Sequence, residues 1–361
     1  MPAALRRSLR REAGAGTLEY VGLIAVAGVL IVVLTVQNWG QLVGATAHAM
    51  CSIEEALGVA AGGSVGCGSP ATQTPYEQAV SGRYVAMGDS YSSGEGASDY
   101  EPGTDFDDRD DLWPFNDDEE LHNRCHRSAD AYARVLSGSN TFADGSTFVA
   151  CSGSVISDFD QPNHKNTGEE PQTDALDDDV SLVTLTVGGN DLKFSRVVTD
   201  CFVNGESGLP FLASCKQKND QRIAELLPEL HDRLLASYEE IHKKAPEARI
   251  VVVGYPQLFV DDPKNNYNDL LFAEDQRWMN QKGAELNATL AATAKEAGVE
   301  FVDPTDAFRT HGIGSSDPWM NDLSFGGPGM SATDPGSFHP NATGQAALAR
   351  LIQQQLEHPR R

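Results

Sequence analysis

The chain has 361 residues, 40% of them apolar, six cysteines and a formal charge of −25. That length holds one large domain with accessory segments or two ordinary domains, and the apolar content is enough for a buried core. The charge argues against a nucleic-acid partner, because phosphate binding needs clustered Lys and Arg. It suits a soluble protein, or one working in salt or outside the cell.

The first 40 residues read as a basic stub followed by a membrane span. Arg6, Arg7, Arg10 and Arg11 precede an apolar run over 21–36, extended by Leu18 and Tyr20 and followed by Trp39. The run is about long enough to cross a bilayer, and the arginines keep the N-terminus in the cytoplasm. Everything after Trp39 is then expected outside. A secretory signal is the competing reading, with "AHAM" at 47–50 as a weak cleavage site. The stretch "GAGTLEY" also resembles the start of Flp/Tad-type prepilins and pseudopilins. That resemblance implies a prepilin peptidase cutting between Gly14 and Ala15, which would put Glu19 at the fifth mature position.

Residues 41–80 are rich in Gly, Ala, Ser and Thr and read as a stalk or linker. In an outward-facing chain, six cysteines imply three disulfides. Neighbour pairing is expected, Cys51–Cys67, Cys125–Cys151 and Cys201–Cys215, since each closes a short or moderate loop. A fifteen-residue loop so closed stabilises by about 3 kcal/mol in the chain-entropy model. Cys-x-x-Cys pairs are absent and histidines do not cluster near the cysteines, so no metal is expected.

From residue 81 the pattern alternates between strands and helices. "RYVAMGDS", "TFVACSG", "VSLVTLTVGGND", "RIVVVGYP" and "VEFVDPT" read as five buried strands. Helical stretches lie between and after them, clearest over 220–245, 272–298 and 341–358, the last opened by a capping Asn341. Such alternation predicts an α/β domain over 81–361 with a parallel sheet and helices on both faces. Ligands of such sheets bind beyond the carboxyl ends of the strands. Three of the five strands end there in small polar residues: Asp89-Ser90, Ser152-Gly153-Ser154 and Gly188-Gly189-Asn190-Asp191. One such end would read as a tight turn, whereas three at one sheet edge point to a site.

Four ordered blocks, "GDSYSSGEGA", the glycine of "ACSGS", "GGND" and "SFHPNATG", resemble the SGNH/GDSL hydrolases. The likeness extends to the secreted lipase and esterase branch typical of actinobacteria, through "NRCHRSADAYARVL" and "DPWMN". It spans nearly all of 82–357 and implies a flavodoxin-like three-layer α/β/α fold with a five-stranded parallel sheet, preceded here by the transmembrane helix. It implies Ser90 as nucleophile, His339 as base, and an oxyanion hole made by the Ser90 N–H, the Gly153 N–H and the Asn190 side-chain amide. The chemistry is intelligible without the family. A serine hydroxyl needs a base to take its proton, and neutral imidazole is available near neutral pH. No Gly-x-Ser-x-Gly elbow is present, because Ser92 occupies the last position.

One position departs from the family. Most members carry an aspartate three residues before the catalytic histidine, and here that position is Gly336. The expected arrangement is a Ser90–His339 dyad with the Gly336 carbonyl orienting the imidazole. The alternative is Asp334 reaching back through a bend at Pro335-Gly336.

Asp89 reads as a turn-holding residue and Asp191 as a support to the site. His122, His126 and His311 read as surface or structural. The acidic stretch over 99–120 does not match a Ca²⁺ loop and reads as a solvated, lid-like loop, with Trp113 and Phe115 placed to lie over an acyl pocket. "SGEGASD" does not satisfy the dinucleotide glycine pattern, and no cofactor is expected. These residues point to a membrane-tethered or secreted serine esterase or lipase that acts on ester or lipid substrates outside the cytoplasm. The competing class is a pseudopilin-like structural or adhesive subunit carrying a hydrolase-shaped domain.

Overall fold

In the computed structural model the described residues are 73–359, apart from 107–122, 195, 199–200, 202–214, 265–271 and 325–333. Side chains at 215, 217 and 218 are also outside the description. The chain divides into Met1–Thr72 and Gln73–Arg361. The expected transmembrane helix, the prepilin-like start and the Cys51–Cys67 pair therefore lie outside the described residues. Among the described residues, no helix is long and apolar enough to cross a membrane.

The second unit opens with helix α1 (Pro75–Ala79), capped by the Thr74 hydroxyl and started by a proline at its first position. Both features suit a helix N-terminus. Strand β1 (Arg83–Gly88) leads into the short helix α2 (Ser90–Ser93). Then come α3 (Tyr132–Ser139), β2 (Ser146–Phe148), β3 (Val180–Thr186), α4 (Cys215–Lys244) and β4 (Arg249–Val253). The series ends with α5 (Ala273–Ala297), β5 (Glu300–Val302), α6 (Thr305–Phe308) and α7 (Ala342–Glu357).

The five strands form one sheet in the order β2-β1-β3-β4-β5, every pairing parallel. This is the flavodoxin-like order, with its switch point between β1 and β3. Strand β2 is shorter than the sequence predicts, but its chain continues to bond β1: the Val149 and Cys151 N–H groups donate to the Ala86 and Gly88 carbonyls.

The period of two along the strands sorts the core into two layers. Tyr84, Ala86, Leu182, Val251 and Val253 face one side, where α3 supplies Tyr132 and Leu136 and α7 supplies Leu348, Ile352 and Leu356. Val85, Met87, Val183, Leu185, Ile250 and Val252 face the other, against Leu230, Leu234, Tyr238 and Ile241 of α4 and Leu286 and Leu290 of α5. Those helical positions recur every three or four residues, the spacing of one helix face. Each buried leucine among them contributes about 1.5–3 kcal/mol.

Arg249 ties the far end of the domain together. Its guanidinium pairs with Glu300 and donates to the last carbonyls of α7, Gln355 and Leu356, and to the Pro75 carbonyl. A cation is well placed at a helix C-terminus. Residues 75–79, at the end of the segment read as linker, thus pack into the domain, where Tyr76 also bonds Asn140.

Candidate active site

Ser90 sits at the first position of α2, directly beyond β1, and only 7% of it is exposed. Asp89 caps the helix by accepting from the Tyr91 N–H at 3.1 Å. The same carboxylate accepts from the hydroxyls of Thr186, at 2.5 Å, and Tyr255. Tyr255 in turn accepts from the Gly189 N–H at 2.9 Å. The ends of β1, β3 and β4 are therefore locked through one buried aspartate. Burial raises the Asp89 carboxyl against the lowering effect of Thr186, Tyr255, the Tyr91 N–H and His339. Its partners account for its turn-holding role.

Opposite Ser90, the loop before α7 brings in His339. Its Nε2 lies 2.8 Å from Ser90 Oγ and its Nδ1 lies 3.0 Å from the Ser337 carbonyl. A carbonyl only accepts, so Nδ1 carries the proton and Nε2 is free to take one from Ser90. Burial lowers the imidazole's proton affinity, opposed by the Glu95 charge, the Ser337 carbonyl, Asp89 and the Pro335 carbonyl.

The carbonyl bonded to Nδ1 is that of Ser337, not of Gly336. The cause is local backbone geometry. Phe338 has φ 64°, in the left-handed region, and this turn aims the Ser337 carbonyl at the ring two residues on. The Gly336 carbonyl instead accepts from the His339 N–H at 3.2 Å and from Asn321 Nδ2 at 3.3 Å. Asp334 does not reach His339: its Oδ1 accepts from the Gly336 N–H at 2.8 Å and shapes the turn.

The other two strand ends are tied to each other and to the end of β1. Asn190 Nδ2 donates to the Ser154 carbonyl at 2.9 Å, next to Gly153. Gln172, buried, bonds both Gly88 and the Ser154 hydroxyl, joining the end of β1 to the Gly153 loop. Gly153 has φ 80°, in the left-handed region where an L side chain is strained, so glycine suits the position. Among the described residues, the Ser90 and Gly153 N–H groups have no hydrogen-bond acceptor. Asp191 accepts from the Ile156 N–H and pairs with Arg233, holding the loop that follows Ser154.

Cys125 and Cys151 form the expected disulfide, both buried, and the Ser152 N–H bonds the Cys125 carbonyl at 3.0 Å. Cys201 is also disulfide-bonded; the side chain of its expected partner, Cys215, lies outside the described residues. So do His122, Trp113 and Phe115. His311 is structural: its ring stacks on Trp319 at 3.7 Å. His126 is structural and buried: its Nδ1 lies 2.5 Å from the buried Glu95. Among the described residues, no group of three His, Cys, Asp or Glu side chains is arranged to hold a metal.

A buried serine with an imidazole on its hydroxyl, at the switch point of a 2-1-3-4-5 sheet, coincides with a family match over residues 86–347. The chain belongs to the GDSL-like lipase/acylhydrolase family. It is a carboxylic ester hydrolase of this family. It is 29% identical to a lipase of Streptomyces rimosus over 77% of this chain and 87% of that one. It is also 29% identical to lipase 1 of Streptomyces coelicolor, over 80% and 91%. Among solved structures, a phospholipase A1 of Streptomyces albidoflavus superposes with TM-score 0.60 at 31% identity, covering 76% of this chain and 99% of that one. The extracellular lipase of S. rimosus superposes at 0.58 and 27%, covering 76% and 99%.

Proposed function

We propose that this GDSL-like hydrolase cleaves carboxylic esters through an acyl-Ser90 intermediate. The observation that carries the reading is the 2.8 Å contact between Ser90 Oγ and His339 Nε2, with Nδ1 bonded to a carbonyl. As Oγ attacks the acyl carbon, its proton passes to Nε2. The tetrahedral oxyanion is held by the Ser90 and Gly153 N–H groups and by the second amide hydrogen of Asn190. His339 then protonates the leaving alkoxide, and a water deprotonated by the same nitrogen releases the acid and restores Ser90. Preorganised donors aimed at the developing charge supply the largest share of such a rate enhancement.

The likeness to the Streptomyces lipases and the phospholipase A1 supports a lipid ester as substrate class. The basic stub and the apolar run over 21–36 support a membrane tether, with residues 1–40 as anchor, the stretch after them as linker and the hydrolase domain from Gln73 onward. The extracellular lipase among the relatives supports a catalytic domain outside the cytoplasm. Mass analysis of the membrane form tests processing by a prepilin peptidase, a mature chain starting at Ala15 being the expected result.

The test of function is hydrolysis of short- and long-chain p-nitrophenyl esters by the full chain, with Ser90→Ala as control. Turnover that falls by several orders of magnitude in the variant is expected. No turnover on any ester, or an unaffected variant, would remove the reading.

A further inference from the structure

Glu95 occupies an unusual place for a carboxylate. It lies between two glycines at the end of α2, where its N–H closes the helix on the Ser90 carbonyl at 3.0 Å. Only 1% of the residue is exposed. The next residue, Gly96, has φ 85° and passes directly under His339: a Cβ there would come 3.0 Å from His339 Cβ and 2.6 Å from Asn321 Nδ2. Asn321 bonds the Gly96 carbonyl at 2.7 Å, and its N–H donates to the His339 carbonyl at 2.8 Å. The backbone that carries Glu95 is therefore pressed against the backbone that carries the base.

A buried carboxylate is costly unless it is paired and hydrogen-bonded. Glu95 has His126 Nδ1 at 2.5 Å on one oxygen and the Tyr100 hydroxyl at 3.0 Å on the other. Tyr100 stacks on His126 and also accepts from the Gly96 N–H at 2.9 Å, which fixes the cluster to the loop beneath His339. Nothing in the reaction outlined above uses these three side chains.

The imidazolium formed when His339 takes the Ser90 proton needs a negative charge nearby. In a Ser–His–Asp triad the aspartate supplies it while also orienting the ring. Here the orienting bond goes to the neutral Ser337 carbonyl, which carries no formal charge. Resting on the acyl-Ser90 reading, we propose that the buried Glu95 carboxylate is the charge-supplying and positioning residue for His339, acting through space where a triad aspartate acts through a hydrogen bond. The two jobs of the aspartate are thus divided between Ser337 and Glu95.

The titration of this cluster agrees with the geometry. Burial opposes ionisation of Glu95, but the bond and charge of His126, the charge of His339 and the Ser152 hydroxyl outweigh it and hold the carboxyl below its usual value. Conversely, among the influences that favour the His339 proton, the Glu95 charge comes first, ahead of the Ser337 carbonyl and Asp89. The charges felt at the ring are those of Glu95 and Asp89, and the Tyr91 ring centroid lies 5.0 Å from that of His339. The groups facing Glu95 are His126, Tyr100 and Ser152, with the Asp334 charge felt at Tyr100.

The experiment compares pH profiles of kcat/KM for the full-length wild type, Glu95→Gln and Glu95→Asp on one p-nitrophenyl ester. Glu95→Gln should move the acid limb to lower pH by about one pH unit, the low end of what a nearby opposite charge does. It should also lower kcat by up to about tenfold, the equivalent of one such unit. Glu95→Asp, which keeps the charge, should restore most of both. A folded Glu95→Gln enzyme with an unmoved acid limb overturns the proposal, since a purely structural role would lower kcat without moving the limb. If Glu95→Gln does not fold, carbon NMR of the wild type decides. The Glu95 carboxyl shift should respond in the pH range where His339 titrates, and an unresponsive shift overturns the proposal. A wild type inactive on every ester would instead remove the underlying reading.

Discussion

Replacing Asp334 with Asn separates the two arrangements open to a chain that lacks the usual aspartate before its histidine. Asp334 Oδ1 accepts the Gly336 N–H at 2.8 Å, and an asparagine Oδ1 can accept the same bond. What is lost is the charge assistance of that bond, a difference of about 1 kcal/mol between charged and neutral acceptors. The bond lies in a turn that stays unchanged as the proton moves from Ser90 to His339. Ground and transition states therefore lose it almost equally. A uniform loss leaves kcat nearly untouched, so the expected change is within about threefold in kcat and kcat/KM. The assay is steady-state hydrolysis of a p-nitrophenyl ester, with thermal unfolding to confirm the fold. A fall approaching the ~10⁴ typical of a true triad aspartate would show that Asp334 reaches His339 during turnover, and would refute the assignment to the Ser337 carbonyl.

Three further outcomes follow from the same geometry. Asn190→Ala should reduce kcat by roughly 10²–10³, as for the loss of one oxyanion donor, with little change in KM; a fall below tenfold would take Asn190 out of the oxyanion hole. Because burial lowers the proton affinity of His339, and the base works when neutral, the acid limb of wild-type kcat/KM should lie below the ordinary imidazole value of about 6.5. The same shift makes stability fall as pH drops below that value, since the unfolded chain binds a proton the fold resists; a limb above it would contradict the burial argument. Replacing both Cys125 and Cys151 by serine opens a loop of sequence separation 26. Denaturant unfolding should then show a loss of about 3–4 kcal/mol, and kcat should fall because the Ser152 N–H bonds the Cys125 carbonyl beside Gly153.

Much of the fold was legible in one dimension because burial writes local periods. The five apolar runs became the five strands, and the helix capped by Asn341 begins where its side chain accepts the Gly344 N–H at 3.0 Å. That the ends of β1, β2 and β3 share one edge was legible as well, since the strands run parallel. The orienter of His339 was not. Whether the carbonyl of Gly336 or of Ser337 faces the ring depends on the left-handed turn at Phe338, a bulky residue that carries no local signal for it. Glu95 was hidden for another reason: nothing in the order of residues marks a glutamate between two glycines as buried.

The residue types at the strand ends pointed to a site at one sheet edge, and the family resemblance supplied Ser90, His339 and the oxyanion donors as expectations. Their positions relative to one another come from Asp89, Tyr255 and Gln172, which tie separate strands by hydrogen bonds between residues up to 166 apart. The division of the missing aspartate's work between Ser337 and Glu95 belongs to the tertiary structure alone. Charge acts through space, and only the fold sets how near the carriers of Glu95 and His339 come.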